Sequence, residues 1–132
     1  METTSLIYKS DTPLSDEELQ DLFADAWDGY EPRPFGNVLR RSLGHLACWD
    51  GEDLVGFVNV AWDGDKHAFI LDTTVRRSHQ RAGIGRELVR RAADIARDRG
   101  AEWLHVDFEP HLLGFYRQCG FLETAAGLLK LR

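Results

Sequence analysis

The hydrophobic residues of the chain follow helical and strand periods in turn, which predicts a regular succession of short elements. Apolar residues at every second position, bounded by Asp-Gly turns, predict strands. Apolar residues three and four positions apart predict helices. The predicted order is a strand at 5–9, a helix at 15–27, a short helix at 37–43, strands at 45–49, 54–62 and 67–75, a helix at 83–99, a strand at 103–108, a short helix at 110–118 and an extended segment to 132.

Capping residues mark the ends of the two longer helices. Ser15 and Glu18 form a capping box, in which each side chain accepts a hydrogen bond from the backbone N–H of the other residue. Leu14 and Leu19 flank this box as a hydrophobic staple. Gly100 is the residue type that commonly follows the last turn of a helix, so the second long helix is expected to end there.

The elements together predict a single α/β domain over residues 1–132. The strands between 45 and 75 follow one another through turns at Asp50-Gly51 and Asp63-Gly64, which predicts an antiparallel meander. The last predicted strands come after helices. We therefore expect a mixed, mostly antiparallel central sheet that is flanked by helices.

The composition is that of an ordinary globular protein, with 132 residues, 43% hydrophobic and 29% charged. No apolar run is long enough to span a membrane, and the first four residues lack the basic and apolar regions of a signal peptide. We therefore expect a cytoplasmic protein that does not bind a membrane. Cys48 and Cys119 lie far apart without Cys-x-x-Cys spacing, which argues against a disulfide framework and a structural zinc site.

Positive charge is concentrated in one segment of an acidic chain. The formal net charge is −6, which disfavours nucleic acid as a partner. Residues 76–99 nevertheless carry eight arginines and three acids, a net charge of +5, so the rest of the chain carries −11. A basic patch on an acidic body predicts a small polyanionic ligand. Arg90, Arg91, Arg97 and Arg99 lie beyond the first helical turn, and we expect ion pairs on the helix surface to account for them.

A glycine-bearing turn, Gln80-Arg81-Ala82-Gly83-Ile84-Gly85, runs directly into the arginine-rich helix. The backbone N–H groups of such a turn and of a helix N-terminus form a binding site for phosphate. A nucleotide-hydrolysing P-loop is excluded, because Arg86-Glu87 replaces the required Lys-Ser/Thr. A Rossmann dinucleotide site is disfavoured, because Leu88 stands where the third glycine is needed and the turn begins several residues after the strand.

The same turn matches the R/Q-x-x-G-x-G/A motif of the GNAT superfamily of N-acetyltransferases. The segment Phe115-Tyr116-Arg117-Gln118-Cys119-Gly120-Phe121 resembles that family's FYxxxGF segment, which also follows the next strand. Both motifs together cover about residues 67–121, and the resemblance extends more loosely over the rest of the chain. It implies a GNAT-like fold and an N-acetyltransferase that uses acetyl-CoA as co-substrate.

By this resemblance, the backbone of the glycine turn would hold the coenzyme pyrophosphate. The main chain of Thr74 and Val75, at the end of the preceding strand, would pair with the pantetheine arm. Tyr116 corresponds to the tyrosine that donates a proton or a hydrogen bond to the coenzyme sulfur. The implied coenzyme-binding residues are Thr74, Val75, Gln80, Arg81, Ala82, Gly83, Ile84, Gly85 and Arg86.

The general base is not assigned by the resemblance, because Ala68-Phe69-Ile70 stands where many members have a carboxylate in mid-strand. The nearby candidates are Asp72, Asp107 and Glu109 and, less favoured, His67, His105 and His111. Strand alternation places Asp72 on the face opposite Phe69 and Leu71, where it either points into the substrate cleft or caps the sheet.

A metal site is not expected. His105 and Asp107 have the spacing of two ligands on one face of a strand, but two ligands do not make a zinc site.

The predicted reaction is direct attack of a primary amine on acetyl-CoA in a ternary complex, with a small amine or a peptide amine as acceptor. Nine acids and one lysine among the first 31 residues suit a cationic acceptor, and equally suit an ordinary surface. The alternative is a non-catalytic acyl-CoA-binding or regulatory module of the same fold, favoured by the missing mid-strand carboxylate and disfavoured by Tyr116.

A homodimer is a further expectation. The final segment, 124–132, is short for this family, so a second subunit would complete the sheet or the acceptor pocket.

Overall fold

The structure is a computed structural model that describes residues 5–132. The sequence argument against a signal peptide rests on the first four residues, and these lie outside the described residues. The strands are β1 (Leu6–Ser10), β2 (Gly44–Asp50), β3 (Asp53–Trp62), β4 (His67–Val75) and β5 (Trp103–His105). The α-helices are α1 (Asp16–Ala26), α2 (Gly36–Arg41), α3 (Ile84–Asp98) and α4 (Leu113–Gln118), with short 3-10 turns at Arg77–His79 and Pro110–Leu112.

The five strands form one sheet in the order β1-β2-β3-β4-β5. Neighbouring strands are antiparallel except β4 and β5, which are parallel and are joined by the crossover helix α3. The expected mixed, mostly antiparallel sheet flanked by helices is confirmed. Helices cover both faces of the sheet, because each face carries its own set of buried apolar residues.

Two buried clusters hold the layers together. The cluster between α3 and the sheet includes Val58, Val60, Ile70, Ile84, Leu88 and Ala92. The cluster between α1, α2 and the other face includes Leu19, Leu22, Phe23, Phe35 and Phe57. The period of the apolar residues in α3 keeps its buried stripe continuous, so the helix lies flat on the sheet with its N-terminus near the end of β4.

The strands β4 and β5 are paired over only three residues. Their register joins His67 to Trp103 and Phe69 to His105, and it goes no further. Among residues 5–132, no strand pairs with this side of β4 beyond Phe69. The two strands therefore part in the middle of the sheet and leave the second half of β4 with an open edge.

A β-bulge interrupts β4. Asn59 of β3 faces Leu71, but Phe57 faces Thr74, so β4 contains one more residue than β3 across this interval. Asp72 lies in the bulge with φ of 58°, in the left-handed region. The prediction that Asp72 lies opposite Leu71 is wrong, because the extra residue breaks the alternation and both side chains lie on the α1 and α2 face.

The end of the chain differs most from the sequence prediction. The strand predicted at 103–108 ends at His105, and the extended segment predicted after 120 forms no strand in the described structure. A strand requires a neighbour that satisfies its backbone N–H and C=O groups, and apolar spacing alone does not supply one. Leu122, Leu128 and Leu129 are therefore more than four-fifths exposed.

The capping residues act as predicted. The Ser15 hydroxyl accepts from the Glu18 N–H at 3.1 Å, and a Glu18 carboxylate oxygen accepts from the Ser15 N–H at 3.1 Å. At the other long helix, Gly100 has φ of 97° and follows the last turn.

Replacing Ser15 with alanine tests how much this box contributes to the layer that α1 forms. We expect Ser15→Ala to lower the free energy of unfolding by about 1 kcal/mol, because the Glu18 N–H loses the hydroxyl that accepts its hydrogen bond. Urea unfolding followed by circular dichroism measures the change. The exposed Thr124 is the control, since Thr124→Ala is expected to leave the unfolding midpoint in place.

Candidate functional site

The end of β4, the start of α3 and helix α4 meet at one place. A Cβ atom on Gly85 in the first turn of α3 would lie 3.8 Å from Val75 and 3.6 Å from the Phe115 ring. Gly85 therefore lies against Val75, ten positions before it in the sequence, and against Phe115, thirty positions after it. The two motifs found in the sequence, the glycine turn and the segment 115–121, form one site.

The glycine turn presents free backbone donors. Gly83 precedes α3 with φ of 85°, and the first hydrogen bond of the helix runs from the Glu87 N–H to the Gly83 carbonyl at 3.1 Å. In the part of the chain that the structure describes, the N–H groups of residues 83–86 donate to no protein acceptor. Gln80 anchors the turn, since its side chain donates to the Val75 carbonyl at 3.0 Å.

The side chains of the turn have different roles. Ile84 is 1% exposed and belongs to the core, so only its N–H is available to a ligand. The positive φ of Gly83 strains any other residue there. At Gly85, by contrast, the nearest atoms lie at ordinary contact distances, so the fold itself has room for an alanine.

Most of the clustered arginines are neutralised by acids. Arg90, Arg91 and Arg97 pair with Glu87 or Asp94 on α3, which confirms the expected ion pairs for these three residues. The expectation is wrong for Arg99, which reaches across to Asp11 after β1. Hydrogen bonds from Arg90 and Arg91 lower the pKa of Glu87 to about 2. The other three pairs link different elements and are Arg76 with Asp21, Arg77 with Asp28, and Arg99 with Asp11.

Two arginines of the cluster, Arg81 and Arg86, have no carboxylate within ion-pair distance among the described residues. Arg86 donates instead to the neutral Gln118 amide at 2.6 Å, which ties α3 to α4. Both arginines flank the free N–H groups of the turn. The net positive field of the segment is therefore concentrated where α3 begins.

Tyr116 is 7% exposed and lies in an aromatic cluster. Its ring stacks on Phe108 with centroids 4.6 Å apart and meets Phe115 and Phe121 edge-on. Burial raises the pKa of Tyr116 above its usual value, although the adjacent Thr73 side chain lowers it in part. The hydroxyl therefore keeps its proton at neutral pH and is a hydrogen-bond donor.

Thr73 is a residue that the sequence analysis missed. Its hydroxyl is buried beside the Tyr116 hydroxyl without completing a hydrogen bond to any described residue. A threonine in a strand gives no signal of such a contact. Only the bulge, which turns Thr73 towards α4, brings it there.

Asp72 lines a cavity of about 400 Å³ on the other face of β4. Its carboxylate makes no hydrogen bond or ion pair with the described residues. Burial raises the pKa of Asp72, and the positive charge of Arg33 opposes this in part. The cavity is lined by Phe23, Trp27, Tyr30, Glu31, Pro32, Arg33, Phe35 and Asp72. Of the two orientations left open by the sequence, the structure has the Asp72 side chain in a cavity.

The other candidate bases lie outside this cavity. Glu109 is exposed, and it precedes the 3-10 turn that leads into α4. Asp107 is also exposed, but its charge contributes to the raised pKa of Tyr116, which places it on the α4 side of the site. His67 Nδ1 lies 2.8 Å from His105 Nε2 where β4 and β5 pair. His111 is exposed.

Over residues 5–132 the structure has neither a metal-ligand cluster nor an apolar helix of membrane-spanning length. No group of three or more His, Cys, Asp or Glu side chains is placed to hold a metal ion in this range. Within the same range, no helix combines the length and the apolar character needed to cross a membrane.

Comparison with known proteins agrees with the site geometry. The model of the acetyltransferase (GNAT) family matches residues 6–121, which include both motifs. A chloroplastic serotonin N-acetyltransferase 2 from Oryza sativa subsp. japonica is 32% identical over 123 residues, which are 87% of this chain and 60% of that protein. The chain spans between 33% and 60% of the length of the first curated relatives that it matches.

Solved structures share the fold over nearly the whole chain. A GNAT family acetyltransferase from Streptococcus pneumoniae TIGR4 superposes with a TM-score of 0.83 at 25% identity, covering 97% of this chain and 98% of its own. An aminoglycoside N-acetyltransferase in complex with CoA superposes with a TM-score of 0.78 at 13% identity, covering 99% and 97%. The second likeness is one of fold alone.

The raised pKa of Asp72 has a consequence for stability. Folding favours its protonated form, so the ionised carboxylate destabilises the protein at neutral pH, and this penalty disappears below the ordinary pKa of the group. We expect Asp72→Asn, which removes the charge and tolerates a positive φ, to raise the free energy of unfolding at about pH 7 and to leave it unchanged at about pH 3.

Urea unfolding at the two pH values measures this difference. Asp65→Asn is the control, because Asp65 is exposed and no shift in stability is expected from it. A loss of stability in Asp72→Asn at neutral pH would show that the carboxylate supports the fold instead of straining it.

Proposed function

Because the chain belongs to the acetyltransferase (GNAT) family, we propose that it transfers the acetyl group of acetyl-CoA to a primary amine by direct attack in a ternary complex. The names of its relatives describe acetylation of amines, among them serotonin and glucosamine 6-phosphate. The two halves of the site supply what the two substrates require. The start of α3 suits the donor, and the Asp72 cavity suits the acceptor.

The observation that carries the proposal lies at the start of α3. There Arg81 and Arg86, which have no carboxylate partner among the described residues, lie beside backbone N–H groups that donate to no protein acceptor. A coenzyme pyrophosphate carries two negative charges and several acceptor oxygens. Backbone donors at a helix N-terminus bind such a group, and arginine adds charge-assisted hydrogen bonds. The residues present therefore fit the coenzyme. Ala82 and Gly83 are exposed and leave the approach to these donors open.

The open edge of β4 fits the pantetheine arm. Beyond Phe69 this edge has no strand neighbour in the described structure. Apart from the Val75 carbonyl, which accepts from Gln80, backbone groups near Thr74 and Val75 are therefore open to an extended chain with amide groups. An arm that begins at the glycine turn and follows this edge leads towards Thr73 and Tyr116. The thioester would then lie between the Tyr116 hydroxyl and the Asp72 carboxylate, on the two faces of the same strand.

The chemistry divides between these two side chains. The amine nitrogen attacks the thioester carbonyl, the new C–N bond forms and the C–S bond breaks. Asp72, whose pKa is raised by burial, takes the proton that the amine loses. Tyr116, which burial keeps protonated, donates to the departing sulfur. Glu109 is exposed and precedes the 3-10 turn that leads into α4. Its role is to attract the cationic acceptor and not to take the proton.

A non-catalytic acyl-CoA-binding module is the second candidate. Phe69, in the middle of β4, supports it, because the side chain there has no acid function and stacks on His105 with centroids 4.7 Å apart. The unpartnered Asp72 carboxylate and the shielded Tyr116 hydroxyl support the enzyme instead. Both candidates require coenzyme binding, so a measurement of turnover separates them.

Neutralising the unpaired arginines tests the donor side. We expect Arg81→Gln and Arg86→Gln each to raise the dissociation constant for acetyl-CoA about tenfold, since each removes a charge-assisted hydrogen bond. Isothermal titration calorimetry at low salt measures this dissociation constant. Arg97→Gln is the matched control, because Arg97 is already paired with Asp94 and lies in the last turn of α3. Equal affinities in all three variants would contradict the assignment of the turn.

Turnover and the role of Tyr116 are tested together. Release of free CoA thiol is followed with acetyl-CoA and a panel of primary amines, and acetylation is expected with at least one of them. Tyr116→Phe is expected to lower kcat about a hundredfold while coenzyme affinity is kept, because the hydroxyl assists a leaving group that is already acidic.

Tyr8→Phe is the control for the loss of a tyrosine hydroxyl, since Tyr8 lies in β1 at the far edge of the sheet beside Cys48. Full activity in Tyr116→Phe would show that the ring only packs. Tight binding of acetyl-CoA without turnover on any amine or peptide amine would favour the module.

A further inference from the structure

The cavity beside Asp72 has a fixed aromatic wall. Trp27 follows the last residue of α1 and is 47% exposed, yet its indole N–H donates to the Thr74 hydroxyl at 3.1 Å. Thr74 is 2% exposed and belongs to β4, two residues beyond Asp72. This hydrogen bond fixes the orientation of a large apolar surface that the fold leaves uncovered.

Tyr30 forms the neighbouring part of the wall in the same manner. Its hydroxyl donates to the Gln20 side chain, and Gln20 also bonds the backbone of Arg33. The ring is held by Phe23, with centroids 5.5 Å apart. The polar groups of both Trp27 and Tyr30 are therefore bonded within the protein, and what they offer to the cavity is the apolar part of each ring.

Asp72 is the partly buried acid of this cavity. Its backbone is held in the left-handed region at φ of 58°, and its carboxylate has no partner in the described structure. Strained residues with an unsatisfied charge persist at positions that act on a ligand. Glu31 and Arg33, the other charged residues of the lining, are exposed at the rim.

We propose that the amine accepted by this site is carried on a short chain by a flat aromatic group, with its nitrogen at Asp72 and its ring against Trp27 and Tyr30. The inference rests on the proposed function and specifies its acceptor. Aromatic rings stack offset or edge-on, and such contacts add to the free energy gained from burying the area alone. A volume of about 400 Å³ is at the low end for small-molecule sites, which suits one or two rings.

The same features exclude more polar acceptors. An amino sugar needs several hydrogen-bonding side chains, and those of Trp27 and Tyr30 are already bonded elsewhere. A polyamine needs a second anionic contact close to the first. Glu31, the other acid of the lining, is exposed. The guanidinium of Arg33 lies over the Phe35 ring, 4.8 Å from its centroid, where it weakens the attraction of Asp72 for further positive charge. The cavity therefore selects a single charge and a flat apolar body.

The experiment compares primary amines that carry different groups, with 2-phenylethylamine and 2-cyclohexylethylamine as the matched pair. We measure kcat/KM for 2-phenylethylamine, tryptamine, 2-cyclohexylethylamine, hexylamine, a diamine and glucosamine. We expect the two aromatic amines to exceed 2-cyclohexylethylamine about tenfold, because a puckered ring has similar area but does not stack. Trp27→Leu is expected to reduce this ratio to about one. Trp103→Leu, which replaces a 64% exposed tryptophan of β5, is expected to keep the ratio.

Binding of the same amines in the absence of acetyl-CoA, measured by isothermal titration, separates the two proposals. Acetylation without a preference for aromatic amines, or with a preference that survives in Trp27→Leu, overturns this inference and leaves the proposed function standing. If no amine is acetylated, the proposed function fails. The inference is then supported by tighter binding of aromatic amines that Trp27→Leu abolishes, and is overturned by equal binding.

Discussion

The bulge in β4 is the feature on which the site depends. One extra residue between Leu71 and Thr74 interrupts the alternation of the strand, so Leu71 and Asp72 lie on the same face and the residues after them lie on the faces opposite to those that an unbroken strand would give. Asp72 faces the aromatic cavity, Thr73 faces Tyr116, and Thr74 turns back to bind Trp27. The cost is a left-handed aspartate with an unpartnered carboxylate. The rest of the strand, fixed by β3 along its length, holds this strained geometry in place.

The distribution of charge also depends on contacts between distant segments. The acidic body does more than offset the arginine segment, because its carboxylates pair with individual arginines across element boundaries, as in Arg76 with Asp21 and Arg99 with Asp11. Those pairs fix α3 and the end of β4 relative to α1 and β1. Among residues 5–132 they also leave Arg81 and Arg86 without a carboxylate partner, so local positive charge remains at the glycine turn.

The two faces of β4 provide different environments for two proton-bearing groups. Tyr116 is enclosed by Phe108, Phe115 and Phe121, and burial favours its neutral form. Asp72 is partly buried on the other face, where burial also favours the neutral form but Arg33 opposes it. A donor that keeps its proton and an acid whose pKa lies above its usual range are suited to opposite directions of proton transfer.

The sequence by itself determined most of the helices and strands and the two motifs that meet at the start of α3. The capping box, the glycine turn, the period of α3 and the aromatic segment at 115–121 are local patterns, and local hydrogen bonding and side-chain period are enough to specify them. The ion pairs of Arg90, Arg91 and Arg97 were predictable for the same reason, since their partners lie three or four residues away.

Only the tertiary structure decided the Asp72 cavity and the end of the chain. The bulge depends on the register between β3 and β4, and the cavity depends on how the segment after α1 packs over β4, so neither leaves a local pattern in the residues. The extended segment predicted after residue 120 forms no strand in the described structure, because strand formation requires a neighbouring backbone and residues 121–132 have none beside them. Contacts between distant segments, which local periodicity does not encode, therefore placed Asp72, Thr73 and Trp27 around one strand.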